Sequence, residues 1–478
     1  MIHGAYILVQ IRSRLMEAEA YRAWVQSIHA SNQQFRDVSE YLRGICEARK
    51  TILNFSHHDL DGVTSAAILK VGLEKLGAKV ETKLPMGFQL SLTDVKNQLK
   101  EIESPEAVVV TDRGTDDIFD EIAKLPVKVI LVDHHPSRTP AKSCLWFNPS
   151  IANGDQTAAA HLCHMLVTIL GLSNLHLDFY ALLGCRGDFA FDPVTSEKGK
   201  FVEPFIKHAQ GVLPNLFEVI RARPTRYDVA FRDRTARINQ IAEILNASCF
   251  AHEYSARSTK LGAVYGPSLC LGFLTRTEQE NWPLRDIAFH EVDDWIESLD
   301  EAEMFSEIFR LYTEDWERAM NEMRKITRIG LAGETAIHFV AGRGLALLPL
   351  AASIKLHELK RSLKMDILIL VLHESSFGFN ISARATGLDV HCGFLMSTLA
   401  KQIADKLPAS GNISGGGHAK AGECIVPISR VSKEKILREL TTLIQEITLI
   451  DDLHSRGTLT KGAIERAEHI GLKYVAKN

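Results

Sequence analysis

Apolar side chains recur at intervals of three and four over the first part of the chain, with Trp24, Ile28, Phe35, Val38 and Leu42 on the repeat, so Glu17 to Lys50 reads as helix. The period then shortens. TILNFSH, AKVETKL, AVVVTD and VKVILVD are short runs rich in β-branched residues, and TSAAILKVGLEKLG and LSLTDVKNQLKEI between them return to the helical period. Strands alternating with helices predict an α/β fold with a parallel sheet and helices on both faces. Ligands of such sheets bind beyond the carboxyl ends of the strands. The residues directly after each run are therefore the ones to examine. From Phe201 to Arg328 helical patterns dominate, as in RTARINQIAEILNAS and EAEMFSEIFRLYTEDWERAMNEMRKI. Strand patterns return in GETAIHFVAG, MDILILVLHE and FGFNISAR, with a helix around LAASIKLHELKRS, and describe a smaller α/β domain. The predicted division is a helical segment (1–48), a parallel-sheet domain (49–200), a helical connector or insertion (201–328), a second domain (329–450) and a polar tail (451–478) expected to fray.

Composition narrows the classes without choosing one. The 478 residues are 46% hydrophobic and 24% charged, an ordinary globular balance with room for two or three domains. Eight cysteines form no C-x-x-C pair, which argues against a disulfide framework or a structural zinc site and suits a reducing, cytoplasmic compartment. No signal-peptide pattern opens the sequence and no apolar stretch reaches the roughly 18 residues of a membrane span, so a soluble chain is expected. The net charge of −4 argues against strong non-specific binding to duplex DNA. It leaves room for a local phosphate site.

The candidate chemistry follows the strand ends. The first run leads into His57, His58, Asp59, Leu60, Asp61 and Gly62; alternate residues of extended chain share a face, so His57, Asp59 and Asp61 can converge while Gly62 permits a turn into helix. The run AVVVTD ends at Asp112, and VKVILVDHH at Asp133, His134 and His135. After LDFYALLGC, Gly187 and Asp188 supply another carboxylate. A lone Asp after a strand is ordinarily a turn or cap residue. Several acidic and histidine clusters at successive element ends fit better the ligand inventory of two divalent ions about 3.5 to 4 Å apart, one carboxylate bridging them. Mixed Asp and His ligation without thiolate suits manganese.

These segments carry a resemblance. SHHDLDGVTSAA, VVVTDRG, ILVDHHPS and GCRGDFAFD resemble, in order and context, the four signature motifs of the DHH phosphoesterase family, which includes RecJ exonucleases, oligoribonucleases and cyclic-dinucleotide phosphodiesterases. NISGGGHAKAGE, preceded by FNISARATG, resembles the glycine-rich signature of the DHH-associated domain that usually follows. The resemblance implies an active site in the cleft between two domains. It implies that His57, Asp59 and Asp112 hold one metal ion and Asp61, Asp112, His134 and Asp188 the other, with Asp112 as the bridge. The cofactor would be two Mn2+ ions, with Mg2+ or Co2+ as substitutes. His135 would face the substrate phosphate or leaving oxygen as a catalytic residue beside Asp112, and Asp133 would orient neighbouring ligands. RecJ-like proteins often have Asp where His57 stands, and another branch places a His four residues before the first Asp, where this chain has Phe55. The first motif therefore does not assign the branch.

In the second domain the plain reading of SGGGHAKAGE is a glycine turn before a helix. The resemblance makes Gly415, Gly416 and Gly417 backbone donors to a phosphate, with His418 and Arg384 clamping it. RINQIAEILNAS is faintly similar to the Arg-Ile-Asn stretch of RecJ-type proteins and makes Asn246 a candidate substrate contact. Other features read as structure. His161, Cys163 and His164 fall within the apolar spacing of an ordinary helix, and Trp282, Trp295 and Trp316, which can stack on bases, fit the packing of the helical segment. The expected function is a metal-dependent exonuclease acting on an end of single-stranded DNA or RNA. The alternatives are an oligoribonuclease or small-nucleotide phosphodiesterase and, from another class, a non-catalytic replication scaffold. The arginines Arg221, Arg223, Arg226, Arg232, Arg234 and Arg237 are candidate contacts to a longer strand, or else a solvated helix face.

Overall fold

The computed structural model describes residues 2–86, 90–102, 104–137, 139–153, 156–223, 225–228, 233–262, 264–279, 284, 292–375, 378–387, 389–406, 413–427 and 431–475, with side chains from Met16 onward except at 152, 153 and 292. Two compact units emerge: residues 1–86 with 92–309, and residues 87–91 with 310–478. The N-terminal helices and most of the predicted insertion thus pack with the first sheet.

In the first unit α1 (Ile2–Ser31) and α2 (Gln33–Glu47) precede β1 (Thr51–Ser56), α3 (Leu60–Lys75), β2 (Lys79–Lys83), α4 (Leu92–Glu101), β3 (Ala107–Thr111), α5 (Phe119–Ile122), β4 (Lys128–Val132), β5 (Leu145–Phe147) and α6 (Ser150–Asn153). The strands form one parallel sheet in the order β2-β1-β3-β4-β5. β3 is buried along its whole length, which is why AVVVT is continuously apolar up to its last residue. The order reverses direction between β1 and β3, and their carboxyl ends deliver the first two acidic motifs to the switch point.

Helices α7 (Ala159–Ile169), α8 (Leu175–Gly187), α9 (Glu203–Val212), α10 (Arg237–Cys249), α11 (Ala251–Tyr254), α12 (Gly266–Gln279) and α13 (Val292–Glu297) follow, with a two-stranded ribbon of β6 (Val219–Ile220) and β7 (Thr235–Ala236). The His161 to His164 cluster lies in α7 as ordinary buried helix: His161 Nδ1 pairs with Thr157 Oγ1 at 3.0 Å and His164 Nε2 with Asp178 at 2.9 Å. Trp295 is buried edge-on against Phe273 and Trp316 is half-buried, while Trp282 lies outside the described residues.

The division between units falls within α14 (Ala302–Glu322). The second unit contains β8 (Thr327–Ala332), β9 (Thr335–Arg343), α15 (Leu348–Leu363), β10 (Asp366–Glu374), β11 (Gly378–Ala385), α16 (Cys392–Asp405), β12 (Ser414–Gly417), β13 (Ala421–Pro427), α17 (Lys433–Ser455) and α18 (Lys461–Ile470). Its mixed sheet runs β12-β13-β11-β10-β9-β8. Two expectations change here. The glycine-rich segment precedes a strand rather than a helix, since β12 and β13 pair antiparallel across a turn at His418. The tail does not fray: α17 runs through Asp451, and Ala467, Ile470, Leu472 and Val475 join the core of this unit. A few apolar residues on one side of an otherwise polar segment suffice to dock it. Among the described residues no helix is long and apolar enough to cross a membrane.

Candidate metal centre

Each cluster is aimed by its own element end. Asp59 is the N-cap of α3, extended at φ −85° and ψ −174°, with its carboxylate accepting from the Gly62 amide at 3.0 Å. Gly62 is obligatory, because a β-carbon there would stand 2.4 Å from the His57 carbonyl oxygen. His57 Nδ1 lies 3.0 Å from Asp59 Oδ2 and 3.7 Å from Asp112 Oδ2. Two residues after that cap, Asp61 accepts from the amides of Ala159 and Ala160 at 2.7 and 2.9 Å. The positive N-terminus of α7 thereby holds this carboxylate.

Asp112 follows β3 at φ +59°, and His134 follows β4. His134 Nε2 lies 3.2 Å from Asp112 Oδ1, 3.4 Å from Asp61 Oδ2 and 3.1 Å from Asp188 Oδ2. Asp188 is the C-cap of α8. Beside them, Asp133 accepts from the His135 backbone amide at 3.0 Å and pairs with His135 Nδ1 at 2.8 Å. Asn148, absent from the candidates above, donates to Asp133 Oδ2 at 3.1 Å and to the His135 carbonyl at 2.8 Å. It stands directly after β5, where the rule about strand ends would have found it had the three-residue strand been recognised. Gly184 was also missed: a β-carbon there would meet Asp61 Oδ1 and Thr64 Oγ1 at 2.6 Å.

The electrostatics describe a site with more negative charge than protein cations can balance. Burial, followed by the charge of Asp188, pushes the Asp61 carboxyl up to about 8. Burial with Asp59 and Asp61 nearby raises Asp112 well above the carboxylate range. Burial opposes the charged form of His134, yet Asp188 and the hydrogen bond to Asp112 raise its pKa well above the usual imidazole value. Burial likewise opposes the Asp59 charge, and the adjacent His57 reverses it, holding that carboxyl low. Asp112 Oδ2 is buried without a hydrogen-bond partner. Among the described residues of the first unit, three donor groups have ligand atoms close enough for one cation: His57, Asp59 and Asp112; Asp61, His134 and Asp188; and Asp112, Asp133 and His135. Hard oxygen and imidazole donors around an unsatisfied buried carboxylate oxygen suit divalent cations such as manganese.

Residues 51–178 match the family model for the DHH family, N-terminal domain. The chain carries a DHH domain. Asp188 lies just beyond the matched stretch. Among solved structures the chain is similar to RecJ from Thermus thermophilus in complex with Mn2+, at 16% identity and a TM-score of 0.54 over 87% of this chain and 55% of that one. A RecJ exonuclease bound to manganese matches at 15% identity, TM-score 0.49, over 87% and 94% of the two chains. CDC45 from Entamoeba histolytica matches at 13% identity, TM-score 0.47, over 86% and 98%. This chain thus spans 55% of the length of the Thermus protein, and identity this low bears on fold alone. No curated protein matches it.

The DHH domain, with Asp188, brings together His57, Asp59, Asp61, Asp112, Asp133, His134, His135 and Asp188. The other candidates lie on other elements. Asn246 is half-buried on α10; the Arg-Ile-Asn triplet itself is Arg237 to Asn239, and Asn239 is buried in a hydrogen-bond network. In the second unit Arg384, on β11, donates to the carbonyls of Ala383 at 3.0 Å and Gly422 at 3.2 Å. Gly415 and Gly417 have packing reasons to be glycine. A β-carbon at Gly415 would stand 2.3 Å from the Met396 carbonyl oxygen, and Gly417 adopts φ +124° with the Ala421 oxygen 2.6 Å from its would-be β-carbon. Gly416 lies between them in β12, and His418 is half-buried in the turn that follows. The arginine run also separates. Arg226 is buried against Glu243 at 2.6 Å and Arg237 against Glu218 at 3.0 Å, whereas Arg221, Arg223 and Arg234 are exposed around β6 and β7. Arg232 lies outside the described residues.

Proposed function

We propose that this DHH-family chain is a phosphodiesterase that uses two divalent metal ions, manganese above all, to hydrolyse single-stranded nucleic acid from an end. The observation that carries the reading is the pairing of two donor sets at the carboxyl ends of β1, β3 and β4, one containing Asp112 and the other hydrogen-bonded to it through His134. His57, Asp59 and Asp112 would hold one ion and Asp61, Asp112, His134 and Asp188 the other. Such a pair supplies Lewis-acid neutralisation of phosphoryl charge and a water of lowered pKa at neutral pH. The chain's own contribution is placement. Asp133 and Asn148 fix the His135 backbone and the Nδ1 side of its ring, so the proposed contact to a phosphate or leaving oxygen falls to Nε2. Arg384 and His418 are proposed to hold substrate phosphate.

A second reading, hydrolysis of very short oligonucleotides, gains support from the arginines. Two of the six candidate strand contacts, Arg226 and Arg237, are buried side chains already held in ion pairs, which weakens the case for a long basic track. The replication-scaffold reading requires no metal, and the intact donor sets speak against it.

End-labelled single strands of DNA and RNA in several lengths, incubated with Mn2+, test these readings together. A product ladder from one end is expected, abolished by chelator and reduced to near background in Asp112→Ala, a variant checked by circular dichroism. Hydrolysis undiminished after rigorous metal removal, or in folded Asp112→Ala, would overturn the mechanism. Cleavage confined to the shortest strands would move the assignment to the second reading.

A further inference from the structure

Helix α8 ends in a way its sequence does not encourage. Phe189 takes the left-handed conformation at φ +54°, its amide reaches the Arg186 carbonyl at 3.2 Å, and the Ala190 amide reaches the Cys185 carbonyl at 2.8 Å. This is the helix stop that ordinarily places glycine at the left-handed position. A phenylalanine stands there instead, directly after Asp188, and the side chain that accompanies it is Arg186. The Arg186 guanidinium carbon lies 4.9 Å from the Phe189 ring centroid and 4.9 Å from that of Tyr227. Arg186 is 1% exposed, with every nitrogen donating: Nε to Asn239 Oδ1 at 2.7 Å, Nη1 to the Phe191 carbonyl at 2.6 Å and Nη2 to the Tyr227 carbonyl at 3.1 Å. Asn239 in turn donates to Asp228 Oδ1 at 2.8 Å, and Asp228 Oδ2 accepts from the Thr225 amide and hydroxyl at 2.9 and 2.7 Å.

From this geometry we infer that Arg186 and Asn239 are positioning residues for Asp188, fastening the stop of α8 to the segment from Thr225 to Asn239 so that the Asp188 carboxylate is presented to His134 and the second donor set. The inference deepens the two-metal reading and rests on it. The network explains why this part of the predicted insertion belongs to the first unit: its buried polar side chains complete the surroundings of a ligand-bearing turn. It also predicts a selective defect. Asp188 belongs to one donor set and not to the one formed by His57, Asp59 and Asp112. Loosening the stop should therefore weaken one ion and spare the other.

The test is a calorimetric titration of the full chain with Mn2+, read alongside electron paramagnetic resonance of the bound pair. Asn239→Asp places a second carboxylate against Asp228 and should weaken one of two bound ions by about ten- to hundredfold, the usual consequence of removing an outer partner of a ligand, with loss of the coupled-pair signal. In the double variant D228N/N239D the amide and the carboxylate trade places, every donor again faces an acceptor, and both ions should return to wild-type affinity. Arg186→Lys, which keeps the charge but cannot reach three acceptors, should reproduce the selective loss, and it carries the test if N239D fails to fold. A wild-type chain that binds no Mn2+ would overturn the metal reading and this inference with it. A wild-type chain that binds two ions while folded N239D and R186K bind both as tightly would overturn the positioning role alone.

Discussion

Asp112 carries its carboxylate on a left-handed backbone, a conformation that costs a residue with a β-carbon about 1 to 2 kcal/mol. Asp is among the side chains that accept it most readily, and the turn aims the carboxylate between His57 and His134. Gly184 illustrates the opposite constraint, since it matters for what it lacks. Gly184→Ala would drive a methyl to 2.3 Å from the Ala160 β-carbon and 2.6 Å from Asp61. The expected cost is about 1 to 3 kcal/mol of stability by urea unfolding, with a weaker Mn2+ affinity because Asp61 must move. Protonation offers a second check at this scale. Asp61, with its pKa pushed up to about 8, binds a proton in the metal-free folded protein that the unfolded chain has already released above about pH 4. His134, also raised, holds its proton beyond the unfolded value. Both contributions are fully present at low pH and are lost as pH rises, so between pH 6 and 8 the metal-free protein should become less stable. Mn2+ should reverse that trend and release protons on binding, measured by calorimetry in buffers of different ionisation enthalpy. The proposed ligands are legible in the sequence because they cluster where apolar runs end. Gly184 and Asn148 are not, because their importance lies in contacts with residues distant along the chain.

Elements in this protein borrow their ends from one another. Helix α7 has Ala158 at its N-cap, a side chain that offers no acceptor, and Asp61 from α3 supplies the missing cap. No local pattern in the α7 sequence announces this. Asp178 on α8 plays a similar joining role: one carboxylate oxygen lies 2.9 Å from His164 Nε2 on α7 and 3.0 Å from His208 Nε2 on α9, and Tyr21 of α1 hydrogen-bonds His164 Nδ1 at 3.0 Å. Burial opposes the Asp178 charge, but the two imidazole partners outweigh it and hold its pKa at about 2. A carboxylate depressed in the folded state adds stability above its unfolded value near 4, and that stability is lost as pH falls toward 2. Asp178→Asn should therefore cost about 2 kcal/mol at pH 7 and flatten the acid limb between pH 4 and 2 in urea unfolding. The glycine-rich segment shows how an element can mislead. Three glycines before His418 look like a turn into a helix, whereas Gly415 and Gly417 let a strand lie against the α16 carbonyls and the hairpin close.

At the scale of the whole molecule, the two units divide the proposed labour. The two donor sets proposed for the metal pair belong to the first, while Arg384 and His418 belong to the second. Arg384→Ala and His418→Ala should lower kcat/KM for nucleotide substrates, or raise KM, with Mn2+ stoichiometry unchanged in a calorimetric titration. Loss of manganese in either variant would show that the division is drawn wrongly. The sequence alone determined the parallel-sheet architecture, the order of the acidic and histidine motifs, and their place after strands, because hydrophobic period and strand-end position are local properties. Tertiary structure alone decided which polar residues support the proposed ligands, which arginines stay exposed, and whether the last helix docks. Arg186 and Asn239 lie 53 residues apart, and Asp61 is farther still along the chain from the α7 amides that donate to it. Only a folded core brings such partners within hydrogen-bonding distance while excluding the water that would otherwise satisfy them.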